Sequence, residues 1–428
     1  MAVTRRFANR LYNGGVSPAV FSLLALLVAI VASFASRLNV GIAAIPLAWA
    51  VGVYAGQPID GVLAGFPGSL FVTLAGVTLL FALAESNGTI GNLATRLATL
   101  ASGRSRLLPV IVFFIACAIS SAGPGAIPAT ALVAPLAFAM AAPAAIPPFL
   151  TALMVANGAN AGNLSPLSAV GIIANSRMAS VGLGDHEARV WAANFIAHAV
   201  VAAVAYAVLV RSVPRRPIVD VTAPAAAFSG RQLFTIAVIT TWIVAVVWFR
   251  APLGLGAFAA AALLVAARAA DESSALRQMP WAAILMVCGV TMLVTTAERA
   301  GGLQLFTTLL ATMATPGTLN GVIAFVTGAI STASSTSGVV LPTFLPTVPG
   351  LVQQVGGGDP LAVALSINVG ASLVDVSPLS TIGAICVAAI AAPEVARDLF
   401  KKMLIWGVSM TLVGAALCQL FAGAFARF

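Results

Sequence analysis

Between Leu107 and Ser176 the chain runs 70 residues without an Asp, Glu, Lys or Arg. A transmembrane helix needs about 20 apolar residues, so this stretch is long enough for several passes through lipid. The remaining sequence agrees with that constraint. Of 428 residues 60% are hydrophobic and only 8% charged, where an average soluble chain carries roughly 25%. In a bilayer every backbone polar group must find a partner within the protein, which leaves helical bundles and closed barrels. Strand-like alternation is nowhere evident, so the sequence predicts an all-α polytopic membrane protein with about ten full spans.

The 21 Lys plus Arg against 12 Asp plus Glu sit at the ends of apolar segments and interleave with no aromatic pattern. They read as topology signals, and no nucleic-acid partner is expected. Cys117, Cys288, Cys386 and Cys418 lie singly in apolar runs without a CxxC, and His186 and His198 are the only histidines. Neither a disulfide framework nor a zinc enzyme fits that inventory. His198, on an apolar helix, reads as a hydrogen-bonded packing residue.

Unbroken apolar segments cover 18–36, 39–55, 67–85, 190–210, 231–249, 253–268, 280–298 and 402–426. Two others, 107–142 and 317–352, are interrupted by Gly and Pro or by a Ser/Thr-rich centre, as re-entrant hairpins would be. Two more, 146–174 and 360–391, carry polar residues near their middles, as discontinuous spans would. An amphipathic surface helix is expected over 87–102.

These features occur twice. Gly158 to Gly171 reads GANAGNLSPLSAVG and Gly370 to Gly383 reads GASLVDVSPLSTIG, with 7 of 14 positions identical. Gly76 to Thr89 and Gly289 to Gly302 are again identical at 7 of 14, with Glu85 falling on Glu298. Five crossings separate the first copy's opening span from the second's, and an odd count inverts the second copy. Inverted repeats with broken helices are the architecture of secondary transporters, which bind cargo at the repeat interface. The expected organisation is scaffold helices over 1–66, a first repeat over 67–176, connecting helices over 177–279, a second repeat over 280–393 and a terminal helix over 394–428. The side holding Arg96, Arg104, Arg106, Arg211, Lys401 and Lys402 carries the larger positive total and is read as cytoplasmic.

A helix broken inside the membrane exposes N–H groups at one new end and carbonyls at the other, offering poles for an anion and a cation. Pro166 and Pro378 are expected to start the second half-helices, with Ser165 and Ser377 before them as caps or ligands. The expected carboxylate site comprises Ser121, Gly123, Asn160, Asn163, Ser165, Pro166, Ser168, Ser335, Thr336, Ser372, Ser377, Pro378 and Ser380. Ser120, Asn157, Gly162, Ser334, Asn368 and Asp375 are expected around a coupling ion. No Arg or Lys lies within the stretches read as hairpins or broken spans, so a dicarboxylate needs co-bound cations, Na⁺ or H⁺. Asn160, Asn163 and Asp375 are the candidates for Na⁺. No other cofactor is implied, and the partners are the lipid bilayer and a small carboxylate.

The hairpins followed by Ala-Asn-Ala-Gly-Asn and Ser-Pro, repeated in inverted form, resemble the ion transporter superfamily, which includes the divalent anion/sodium symporters. Gly65 to Thr78 (GFPGSLFVTLAGVT) with Asn87-Gly88-Thr89 is similar, more narrowly, to the bacterial malonate/C4-dicarboxylate carrier (MatC-type) branch. Ser121-Ala122-Gly123 and Ser334-Ser335-Thr336 stand where the symporters have a Ser-Asn-Thr tip. The resemblance implies a homodimer in the bacterial inner membrane whose mobile part carries a dicarboxylate by elevator motion. A cation/proton antiporter or a monocarboxylate carrier on the same architecture is the alternative. An intramembrane protease is disfavoured: Gly356-Gly357-Gly358-Asp359 matches GxGD, but no second membrane aspartate accompanies it.

Overall fold

The computed structural model describes residues 16–35, 39–99, 106–142, 144–213, 227–249, 251–332, 335–390 and 392–427, and every regular element among them is helical. The first half comprises α1 (Pro18–Ala35), α2 (Val40–Tyr54), α3 (Ile59–Leu63), α4 (Gly68–Ser86), α5 (Thr89–Thr99), α6 (Leu108–Ala122), α7 (Ala126–Ala141), α8 (Pro148–Gly162), α9 (Ala169–Ala179) and α10 (Glu187–Leu209). The second half comprises α11 (Gly230–Phe249), α12 (Leu253–Ala266), α13 (Glu272–Gln278), α14 (Trp281–Arg299), α15 (Gly302–Ala311), α16 (Leu319–Ser331), a helical run over 336–355 termed α17, α18 (Pro360–Leu373), α19 (Thr381–Ala388) and α20 (Pro393–Arg427). Each element of the first half thus has a counterpart in the same order in the second. The second copy of the surface helix, α15, escaped the sequence reading. It lies at 88° to α14, as expected of a helix that leaves a span to lie along the membrane.

Ile59–Ser86, Glu187–Leu209, Pro360–Ala388 and Pro393–Arg427 are each long and apolar enough to cross a membrane. Shorter apolar helices, among them Val40–Tyr54, Leu108–Ala122, Ala126–Ala141, Leu253–Ala266 and Leu319–Ser331, occupy the other stretches read as spans or hairpin arms. At 1.5 Å per residue the 14 residues of α12 extend about 21 Å, less than the roughly 30 Å hydrocarbon core. Helices of this length are completed by their neighbours, and the packing shows how.

Glycines set the closest approaches, and they do so in repeat-related pairs. A Cβ on Gly289 of α14 would meet the backbone of Gly41 on α2, and one on Gly76 of α4 would meet the carbonyl of Gly254 on α12. Gly158 of α8 lies on the backbone of Phe113 in α6, and Gly370 of α18 on that of Ala324 in α16. Between lipid-soluble helices there is little hydrophobic drive to associate, so close contact of small residues supplies dispersion energy in its place. The halves also interlock. The second part of each broken span packs on the hairpin of the other half, α9 against Leu341–Phe344 of α17 and α19 against α7.

Candidate functional site

The first hairpin turns at Gly123-Pro124-Gly125. Gly123 (φ 149°) and Gly125 (φ 84°) adopt backbone conformations that residues with a Cβ rarely adopt, and the Phe81 ring fills the space beside Gly123. The second hairpin re-enters helix at Ser335, whose hydroxyl accepts from the Gly338 N–H at 3.0 Å. Ser334, expected in the ion site, lies outside the described residues.

Each broken span ends its first half at a polar turn, and the turn's key side chain reaches across to its own hairpin. Asn163 Oδ1 accepts from the Ala126 N–H at 3.0 Å, capping the return arm of the first hairpin. The repeat-related Asp375 accepts from the Thr336 hydroxyl at 2.9 Å on both carboxylate oxygens. Thr336 Oγ1 also bonds Ser331 Oγ and lies 3.3 Å from the Ala371 carbonyl. Two hydroxyls, a carboxylate and a carbonyl therefore converge on one point in the second half. The matching position in the first half is Gly125, which brings no oxygen-bearing side chain.

Ser-Pro-Leu-Ser forms a β-turn in both copies. The Ser168 N–H donates to the Ser165 carbonyl and the Ser380 N–H to the Ser377 carbonyl, both at 2.9 Å, with proline second in the turn where its fixed φ suits. The second half-helices consequently begin at Ala169 and Thr381, three residues beyond Pro166 and Pro378, which correct the expected starts. The residues preceding them are Ser168 and Ser380. The Ser168 hydroxyl accepts from the Gly171 N–H at 3.1 Å, and the two serine hydroxyls donate to the carbonyls of Asn163 and Asp375 respectively. Ser165 and Ser377 accept from Leu167 N–H and Leu379 N–H, each at 3.3 Å, and Ser165 donates to the Ser121 carbonyl at 2.7 Å. Gly171 and Gly383 close the repeated 14-residue motif because a Cβ would strike the carbonyls of Ser165 and Ser377.

A cavity of about 530 Å³ lies where these parts meet, within the usual range for small-molecule sites. Its wall includes Asn163, Ser335, Thr336, Asp375 and Ser380 from the sequence-predicted set. It also includes Pro124, Gly125 and Ser337 of the two hairpin tips, together with Thr381, Asn39, and Leu74 and Thr78 of α4; the last four the sequence reading missed. The repeated Gly-Val-Thr at 76–78 was the available signal for Thr78. Among the described residues Asp375 is the sole ionisable side chain in that wall, and no Lys, Arg or His of theirs lines it.

The other expected residues stand behind the wall. Ser121, Gly123, Gly162, Ser165, Pro166, Ser168, Ser377 and Pro378 shape the turns and the hairpin. Ser120 and Asn160 are fully buried, and the Ser120 hydroxyl and both Asn160 amide atoms have no hydrogen-bond partner. Asn157 and Asn368 donate back to the carbonyls of Leu153 and Ala364, each at 2.9 Å. Ser372 belongs to a buried network with Asn194 and His198. The second half of the first broken span continues to Ala179, past the expected end at 174, and so carries Arg177. Its guanidinium lies within electrostatic reach of Glu298 and Cys288 of α14.

Residues 16–163 match the family model of the dicarboxylate carrier protein MatC N-terminus. No curated protein matches the chain. Among solved structures, the crystal structure of the Alcanivorax borkumensis YdaH transporter superposes with a TM-score of 0.57 at 14% identity, covering 85% of this chain and 87% of that one. At that identity the likeness is one of fold. Helical composition, repeat architecture and the matched N-terminal region agree: this chain is a polytopic membrane transporter that resembles the MatC-type dicarboxylate carriers.

Proposed function

We propose that the protein is a secondary carrier that moves a small dicarboxylate of the malonate or C4 type together with a cation, Na⁺ or H⁺. The observation that carries this reading is the composition of the cavity wall among the described residues: hydroxyls, amides and helix starts, no cationic side chain, and one carboxylate. A dianion entering beside Asp375 meets a site that adds negative charge of its own. In a low-dielectric setting that encounter is unfavourable unless cations enter as well. The oxygens gathered on Thr336, from Asp375, Ser331 and Ala371, are suited to hold the cation. The N-termini of α7 and α9 and the Ser335 turn are suited to the carboxylates.

The elevator motion, the homodimer and a bacterial inner-membrane location belong to this proposal through the resemblance to the carrier branch. Binding tests it directly. The purified protein should bind malonate or succinate more tightly, by at least tenfold, when Na⁺ replaces K⁺ or when the pH is lowered, and Asp375→Asn should remove that enhancement. Carboxylate affinity indifferent to both cations would contradict coupled transport. An Asp375→Asn variant that keeps the enhancement would place the cation elsewhere.

A further inference from the structure

We infer that His198 and Asn194 of α10 form a clip that ties the two broken spans to each other, so that the two polar turns of the site shift as one body. The inference rests on the carrier reading for its functional meaning, but the geometry stands by itself. Asn194 and His198 are fully buried and lie one helical turn apart. His198 Nδ1 lies 3.0 Å from Asn157 Oδ1 on α8 and its Nε2 lies 3.3 Å from Ser372 Oγ on α18. Asn194 donates from Nδ2 to the Asn160 carbonyl of α8 at 2.7 Å and accepts from the Ser372 hydroxyl at 2.6 Å. Both side chains thus bridge opposite repeats, Ser372 standing three residues before Asp375, and Asn160 and Asn157 three and six residues before Asn163.

The hydrogen inventory makes the joint specific. Asn157 spends its amide N–H on the Leu153 carbonyl, so its oxygen faces the imidazole and Nδ1 must donate. In a neutral imidazole Nε2 is then bare and takes the Ser372 hydroxyl hydrogen, which Asn194 Oδ1 also claims. The Val369 carbonyl of its own helix lies 3.2 Å from the same hydroxyl, so one hydrogen faces three acceptors with Asn194 Oδ1 nearest at 2.6 Å, and Ser372 is the element shared between the halves. The clip occurs on one side of the molecule only. On α20 the corresponding buried face carries Gly407 and Thr411, and Gly407 lies directly against Ser377. Simple packing suffices there, whereas α10 commits an amide and an imidazole to a buried position where unpaired polar groups are costly.

Hydrogen exchange on the full-length protein in lipid nanodiscs tests the clip, with His198→Ala, Ser372→Ala and the double variant compared with wild type. The expected result is faster exchange, by about tenfold or more, in both turns, 163–168 and 377–380, with α2 and α12 unchanged. The double variant should loosen the turns no further than Ser372→Ala alone, because both links to the second repeat end on that hydroxyl. Carboxylate affinity should fall about tenfold in Ser372→Ala and be partly restored in His198→Gln relative to His198→Ala. Loosening confined to one turn, loosening spread over the whole chain, or additive effects would overturn the clip. Should His198→Ala fail to fold, Ser372→Ala alone decides, since it removes one oxygen and little volume. A wild-type protein that binds no carboxylate would remove the carrier reading while the exchange pattern still judges the joint.

Discussion

Asp375 and Asn163 occupy matching places in the two halves, yet they do different work. Asn163 is spent capping the Ala126 N–H, whereas Asp375 offers its carboxylate to the Thr336 hydroxyl, which also bonds Ser331. Exchanging its carboxylate for an amide should therefore abolish cation dependence, while Asn163→Ala should mainly weaken the first hairpin's return arm, by about 1 kcal/mol as for lost helix caps. Thermal unfolding of the two variants, read beside cation-dependent binding, separates the roles. Gly370→Ala makes a steric prediction, because the new Cβ would lie 2.6 Å from the Ala324 carbonyl oxygen. It should destabilise by about 1 to 3 kcal/mol, as overpacking does, seen as a lowered melting temperature with cation preference intact. At this scale the sequence pointed to two polar turns that the structure places at one cavity, through Asn163, Asp375 and Ser380. It could not tell Ser165 and Ser377, which stand behind the cavity wall, from Ser335 and Ser380, which form part of it. That choice depends on where a β-turn ends and the helix resumes.

Hairpins and broken spans were legible because Gly, Pro and Ser interrupt what is otherwise uniform hydrophobicity. Helix pairs such as α2 with α14 and α4 with α12 were not, since two glycines so far apart in the chain, Gly41 with Gly289 and Gly76 with Gly254, carry no local signal of meeting. The cross-packing of α9 on α17 and α19 on α7 has a consequence: each half-helix is held by the hairpin of the other repeat. Leu379, 55% exposed at the second turn, lines the cavity. In a background with the four buried native cysteines replaced, Leu379→Cys should react with a thiol reagent at a rate that bound dicarboxylate slows at least fivefold. Unaltered labelling at saturating dicarboxylate would show that the cargo binds away from this turn.

Across the whole molecule the cavity is one-sided, although the fold is not. It reaches Thr78 of α4, while the repeat-related Thr291 of α14 is almost wholly buried. Along α14 it touches Ile284 and Met286, near that helix's start. On the carrier reading proposed above, the inverted repeat would give a second conformation in which Thr291 takes the place of Thr78. Thr78→Cys should accordingly be reached by an impermeant thiol reagent from the side where α14 begins, and Thr291→Cys from the opposite side. The most direct test of coupled carriage is uptake of labelled malonate and succinate into proteoliposomes under imposed Na⁺ or H⁺ gradients. Accumulation driven by one of those gradients and lost in Asp375→Asn is the predicted result; equilibration that never exceeds the outside concentration under either gradient would contradict it.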